Sequence, residues 1–378
     1  MVKKMVILQV LPALEMGGVE RGTVEVATAL QKQRVENYVV SSGGPMVKQL
    51  EEIGVEHITL PVQSKNPIVI LQNAKRLAKV IREKKVTLIH VRSRAPAWSV
   101  KLASRRTGVP FIATYHGVYG MEPAIFKKPY NRVMTKGKKV IAVSNFVKKH
   151  IMDNYGVPES KIQVIHRGAD TQKFDPQNVK KQQIEALKKE YGIEKEKPII
   201  TLVGRLTTWK GQMVLLSALA QMQQKKVYCL LVGSDQGRVQ YTEKLKEQIK
   251  ELPKETEVKL IPSCANMPAL YALSTVVVNP SLEPEAFGRV VTEAQAMGKI
   301  VVASGHGGAA ETIKDGKTGF LFPAGDVKAL AKTLDDVLTM PSTKRKVIEQ
   351  AGIQSVRENF SIQKMCQKTI QIYQEMSR

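Results

Sequence analysis

Thirteen short runs of apolar, mostly β-branched residues alternate with longer amphipathic stretches, and this alternation stops once and then restarts. The first seven runs are Met5–Val10, Tyr38–Ser41, His57–Thr59, Leu88–Val91, Phe111–Thr114, Val140–Val143 and Ile162–Ile165. Helical periodicity lies between them over Glu20–Gln31, Met46–Glu52, Ile68–Lys84 and Ala97–Thr107. A polar, lysine-rich interval then runs from Asp175-Pro176 to Lys197-Pro198. Six more runs follow it: Ile199–Val203, Val227–Val232, Val258–Ile261, Val276–Asn279, Ile300–Ala303 and Gly319–Phe322. Helical patterns separate them at Lys210–Gln223, Arg238–Glu251, Met267–Leu273, Gly288–Met297 and Val327–Leu338. Continuous apolar runs read as strands covered on both faces, and an intervening helix is the crossover that parallel strands need. The expectation is two successive doubly wound α/β domains, 1–176 and 177–355, with a linker near 176–197. The last helical stretch, 356–378, has no strand partner of its own and is expected to pack back on the first domain.

Composition narrows the class. The chain is 43% hydrophobic and 24% charged, as in ordinary folded proteins and unlike disordered or collagen-like ones. No stretch approaches the ~18 to 20 apolar residues of a membrane-spanning helix. Lys3 and Lys4 precede an apolar run, but that run is short and no small-residue cleavage site follows, so it reads as a first strand and not a signal peptide. The expected location is cytoplasmic. Cys229, Cys264 and Cys366 are odd in number, far apart and without a CxxC or clustered histidines, which argues against a disulfide framework or a zinc site. The net charge of +24 is uneven: residues 1–180 hold 30 Lys and Arg against 13 Asp and Glu, the remainder 28 against 21. An acidic partner for the first half follows, whether a phosphate-bearing substrate, an anionic membrane surface or nucleic acid. With 5% aromatics and no RNP or helix-turn-helix pattern, nucleic acid is disfavoured.

Doubly wound sheets bind ligands beyond the carboxyl ends of their strands, and the distinctive motifs fall there. No GxGxxG and no DxD pair occurs, and Gly316-Lys317-Thr318 lacks the first glycine of a Walker A loop, Glu311 standing in its place. Glu285-Ala286-Phe287-Gly288-Arg289 leads into Glu293 after the strand Val276–Asn279. Free N–H groups at that helix start suit polar or anionic atoms, and the two carboxylates suit vicinal hydroxyls of a sugar or ribose. The competing interpretation is an acidic first turn favoured by the helix dipole. Arg205 and Lys210, after Ile199–Val203, are two cations at a strand-to-helix turn and match a diphosphate without a metal, unless the turn is merely solvated. Gly17-Gly18 lets backbone approach a ligand at a helix start, though such turns also serve as plain connections. His116 follows a strand, and a lone histidine there is either a site residue or a structural one. Phe126 to Tyr130, with Lys127, Lys128, Arg132, Lys136, Lys138 and Lys139, reads as a patch for anionic lipid or as an ordinary solvated face.

In order, Gly17-Gly18-Val19-Glu20-Arg21, His116, Val143-Ser144, Ile165-His166-Arg167-Gly168-Ala169-Asp170, Gly204-Arg205 with Lys210-Gly211, Pro280-Ser281, Glu285-x7-Glu293 and Gly307-Gly308-Ala309-Ala310-Glu311 span nearly the whole chain. This set resembles the retaining glycosyltransferases of family four. The resemblance implies the GT-B fold, two Rossmann-like domains facing a central cleft, and a nucleoside-diphosphate sugar as substrate with no metal or other cofactor. It implies that Arg205 and Lys210 hold the diphosphate and Glu293 the ribose. Glu285, with backbone at Ala286, Phe287 and Gly288, would bind the transferred sugar, His116 would lie beside it, and Gly17 and Gly18 would close over donor or acceptor. Catalytic roles fall to His116, Arg205, Lys210 and Glu285. The acceptor is expected to be a glycan or lipid-linked glycan of envelope or lipopolysaccharide synthesis, met at the inner membrane face. Ala286 stands where many relatives carry Gly. A sugar-nucleotide epimerase of the same fold and a non-catalytic basic binding protein are the alternatives.

Overall fold

The computed structural model describes residues 4–120 and 124–377, the side chains of 124–126 excepted. It divides into two compact units, one made of 1–167 with 362–378 and the other of 168–361.

The first unit holds strands β1 (Val6–Val10), β2 (Glu36–Ser41), β3 (Glu56–Thr59), β4 (Leu88–Val91), β5 (Phe111–Tyr115), β6 (Val140–Ala142) and β7 (Ile162–Val164). They form one sheet in the order β3-β2-β1-β4-β5-β6-β7, and every pair is parallel. β1, β4 and β5 are buried along their full length, which is why their sequences run apolar without alternating. The helix Gly18–Lys32 carries Glu20 in its first turn and Lys32 in its last, each matched to the helix dipole. It turns Val26, Ala27 and Leu30 inward. Ile362–Met376 packs beside it. Met365, Cys366, Ile370, Ile372 and Tyr373 of this last helix share a buried cluster with Ile7, Val26, Leu30, Leu88, Ile112 and Ile141.

The second unit holds β8 (Ile199–Val203), β9 (Tyr228–Val232), β10 (Glu257–Ile261), β11 (Val276–Asn279), β12 (Ile300–Ser304) and β13 (Phe320–Phe322). Their order is β10-β9-β8-β11-β12-β13, again parallel throughout. Strand order thus reverses between β1 and β4 in one sheet and between β8 and β11 in the other.

Two features differ from expectation. The interval 176–197 contains a helix, Lys181–Tyr191, closed by left-handed Gly192; Leu187, Tyr191 and Ile193 sit in the core beside Ile199 and Tyr228. This segment is therefore part of the second unit's packing and does not act as a linker. The chain passes between units at Arg167–Gly168 and again at Ser361–Ile362, where the expected limits were 176 and 355. Ala169 bridges to Ser361 and takes a 2.8 Å backbone bond from its N–H to the Phe360 carbonyl. The basic segment after Phe126 is a helix, Ala124–Asn131, followed by a 3-10 turn, Arg132–Thr135; the Phe126 side chain lies outside the described residues.

Candidate active site

The second-unit residues singled out by motif leave the sheet from β8 and β11, the pair at which strand order reverses and ligands bind in such sheets. After β8 the chain makes a 3-10 turn, Thr208–Lys210, and enters the helix Gln212–Gln221 through Gly211 at φ +75°. A Cβ on Gly211 would lie 1.9 Å from the Pro280 carbonyl oxygen, so only glycine lets this turn meet the loop after β11. The Leu282 N–H donates to the Trp209 carbonyl at 2.8 Å. Across the same junction Lys210 Nζ donates to Glu285 Oε1 at 2.8 Å, with the side chains 12% and 13% exposed.

Glu285 is held from several sides. Ser281 Oγ lies 2.7 Å from Glu285 Oε1 and 2.9 Å from Asn279 Oδ1. The Gly308 N–H donates to the Glu285 carbonyl at 2.7 Å, and His306 Nε2 lies 2.8 Å from the Ser281 carbonyl. Burial pushes the Glu285 carboxyl up, but the Lys210 charge and hydrogen bonds from Lys210, Ser281 and Asn279 outweigh it and leave the group below its usual range. Lys210 Nζ and the Arg205 guanidinium lie 4.5 and 5.9 Å from the centre of the Trp209 ring. Both cations therefore flank one indole. Arg205 is exposed and reaches Gln236 Oε1 at 3.4 Å.

Gly288, at φ +82°, opens the helix Arg289–Ala296 and, as a glycine, brings no side-chain cap of its own. A Cβ there would meet that of Ala309 at 2.6 Å. Phe287 is core, its ring 6.2 Å from that of Phe360, while Ala286 is half-buried. Glu293 is 6% exposed. Its Oε2 accepts from the Tyr271 hydroxyl at 3.2 Å, and its Oε1 lies 3.7 Å from Arg289 Nε. Tyr271 and Arg289 thus meet Glu293, while Lys210 meets Glu285.

The first-unit residues gather after β1 and β5. Gly17 stands at the N-cap of Gly18–Lys32 with no side-chain cap, and a methyl on Gly18 would touch nothing within 4 Å. His116 is half-buried. Its Nδ1 lies 3.4 Å from Arg167 Nη1, and its Nε2 has no partner among the described residues. Arg167 also donates through Nη2 to the Gly18 carbonyl. Burial, then the charges of Arg167 and Arg92, hold His116 well below the usual imidazole range. Residue type and spacing alone point to no role for Arg167, Asn279, Ser281 or Trp209. The available signals were a polar residue ending the valine run of β11 and an arginine after β7.

Residues 16–173 match the family described as Glycosyltransferase Family 4, and residues 183–354 match Glycosyl transferases group 1. A glycosyltransferase structure from Rickettsia africae ESF-5 is 42% identical, covers 99% of each chain and superposes with a TM-score of 0.92. The chain belongs to glycosyltransferase family 4. Spore coat protein SA of Bacillus subtilis (strain 168) is 25% identical over 78% of this chain and 80% of its own. The Anabaena protein Alr3699/HepE, solved in complex with UDP-glucose, is 24% identical and covers 98% of this chain and all of its own, with a TM-score of 0.83, a likeness of fold. The two parallel-sheet units of this glycosyltransferase are those of the GT-B class. In its second unit, Leu206, Gly233, Ser234, Asp235, Thr242 and Lys246 line part of a crevice of about 260 Å³. No described helix of the glycosyltransferase is long and apolar enough to cross a membrane.

Proposed function

We propose that this glycosyltransferase moves a hexosyl group from a nucleoside-diphosphate sugar to a glycan or lipid-linked acceptor, with retention of configuration, in envelope polysaccharide or lipopolysaccharide synthesis at an anionic membrane surface. The observation that carries this reading is the enclosed Lys210–Glu285 contact between the β8 and β11 loops. A cation that must meet a diphosphate is placed ahead of time by a carboxylate suited to sugar hydroxyls. Arg205, flanking the same indole, and the helix start at Gly288 add positive potential for the phosphates. The crevice beside Leu206 has room for a planar base, and the UDP-glucose held by the Anabaena protein supports this donor class.

In the proposed reaction the bond from anomeric carbon to phosphate oxygen breaks, and the acceptor oxygen bonds to that carbon on the same face. The acceptor's proton passes to the departing phosphate. Lys210, Arg205 and the helix start stabilise the charge that grows on the leaving group, an effect worth ~3 to 4 kcal/mol per well-placed donor. No metal is assigned to this step. The test is a thermal-shift screen with UDP-, GDP- and ADP-sugars in EDTA, where one donor at a hundredfold excess over its Kd stabilises by about 2.7 kcal/mol. Lys210→Ala is expected to fold, to lose that shift and to turn over ~100- to 1,000-fold more slowly. Salt-dependent nucleic-acid binding without any nucleotide-sugar shift would favour a non-catalytic basic protein instead.

A further inference from the structure

We propose that Arg167 is the positioning residue for His116, fixing its imidazole as the tautomer that carries hydrogen on Nε2 and tying it to the Gly17-Gly18 turn. This rests on the reading of His116 and that turn as part of the sugar-nucleotide site, and it adds what sets their chemistry. Arg167 is 6% exposed. It touches both features at once, with Nη1 3.4 Å from His116 Nδ1 and Nη2 donating to the Gly18 carbonyl. A guanidinium has donors and no acceptor, so the ring nitrogen facing it must be the bare one. The hydrogen is then on Nε2, which is buried without a partner among the described residues. An unpaired buried donor is costly, and a ligand oxygen would satisfy it.

The surroundings keep the ring neutral. Among the described residues, the charges of Arg167 and Arg92 act on it, and His90 is coupled to it. Arg92 is itself fixed by Gln9, with its Nε 2.9 Å from Gln9 Oε1. His90 is engaged on both ring nitrogens, by Tyr373 and Thr114. His116 therefore acts as a hydrogen-bond donor and not as a base. A second feature supports the assignment independently. Gly22 lies inside the helix Gly18–Lys32, where glycine is less favourable than alanine. A Cβ on Gly22 would lie 2.2 Å from Arg167 Nη1. The glycine is thus the space the guanidinium occupies, and alanine there would displace Arg167 while keeping its charge in the chain.

The test uses full-length protein labelled with ¹⁵N-histidine, which has six histidines, with the His116 signals identified by their loss in His116→Gln. The expected wild-type result near neutral pH is a bare Nδ1, a protonated Nε2 and no titration. In Arg167→Met and in Gly22→Ala the ring should move toward tautomer exchange or titrate nearer the ordinary histidine value of about 6.5. Hydrolysis of whichever UDP-, GDP- or ADP-sugar stabilises the wild type should fall roughly 100-fold in kcat with little change in KM, as expected for misplacement of a site group. A hydrogen on Nδ1 in the wild type would overturn the proposal, as would unchanged His116 signals in Gly22→Ala or Arg167→Met. The wild-type spectrum and Gly22→Ala decide the matter even if Arg167→Met does not fold. Wild-type protein that shows the stated ring signals yet hydrolyses none of the UDP-, GDP- and ADP-sugars would count against the donor reading and leave Arg167's role intact.

Discussion

Lys210 meets Glu285 at 2.8 Å with both side chains nearly out of water, a setting in which removing one charge strands the other. Glu285→Gln leaves the ammonium facing a neutral amide and should destabilise the second unit by roughly 3 kcal/mol at neutral pH. The pH dependence has a definite sign. The folded carboxyl lies below its ordinary value, burial being outweighed by Lys210 and the hydroxyl and amide donors. Its contribution is therefore complete above about pH 4.3, the unfolded carboxylate value, and disappears as pH falls through the lower folded one. Urea unfolding of wild type and Glu285→Gln should show a gap at pH near 7 that closes in acid below about pH 4. A gap independent of pH would mean that the pair's charge contributes nothing. Glu293 shows what residue spacing does not convey. It lies about a turn into the helix Arg289–Ala296, yet Tyr271, far upstream in the chain, supplies a hydrogen bond to its carboxylate.

Elements were legible where their residues did one job. Buried parallel strands such as β8 and β11 are continuous apolar runs, so their limits could be read directly. The helix Lys181–Tyr191 was hidden because it anchors through few apolar side chains, chiefly Leu187 and Tyr191, in a lysine-rich background. Asn145–Tyr155 was hidden for another reason: its start depends on the Ser144 hydroxyl accepting from the Val147 N–H at 3.1 Å, a local signal easily lost beside a strand. The candidate site was legible as a set of residues after strands. Its wiring was not, because contacts such as Lys210 with Glu285 join positions that no periodicity relates. The last helix, Ile362–Met376, shows how much one element can carry. It buries Met365, Cys366, Ile370, Ile372 and Tyr373 against the first sheet and the helix Gly18–Lys32. At about 1.5 to 3 kcal/mol per buried side chain, that amounts to something on the order of 10 kcal/mol, comparable to a whole domain's net stability. A chain ending at Ser361 should therefore lose the first unit's cooperative melting transition in calorimetry. Retention of that transition would show that the helix only decorates the sheet.

Charge is a property of whole units. Residues 1–167 with 362–378 carry 31 Lys and Arg against 12 Asp and Glu, net +19, while residues 168–361 carry 27 against 22, net +5. Part of this excess is clustered without neutralisation. Lys101 and Lys161 are both held below the usual lysine range, by burial first and then by Arg105 and Lys136 around Lys101 and by Lys136 beside Lys161. On the helix Pro67–Glu83, Ile68 and Leu71 are 65% and 49% exposed, and Lys75, Arg76 and Lys79 continue outward along the same side. The Ser99 hydroxyl, on the helix Arg94–Thr107 that carries Lys101 and Arg105, donates to the Ile70 carbonyl at 3.2 Å and ties the two helices together. On the proposed membrane reading, these apolar side chains would enter a headgroup layer and the cations behind them would meet its negative charge. Each cation near an anionic leaflet contributes about 1 kcal/mol. Lys75→Gln with Arg76→Gln should thus weaken binding to phosphatidylglycerol vesicles about 30-fold in low salt, and the difference should shrink as salt shortens the Debye length. Ile68→Ser with Leu71→Ser should weaken binding at every salt concentration, because insertion of apolar side chains is not screened. Equal binding to neutral and anionic vesicles would rule out the proposed membrane surface, as would binding that neither double variant alters. The charge excess would then have to serve the acidic substrate alone.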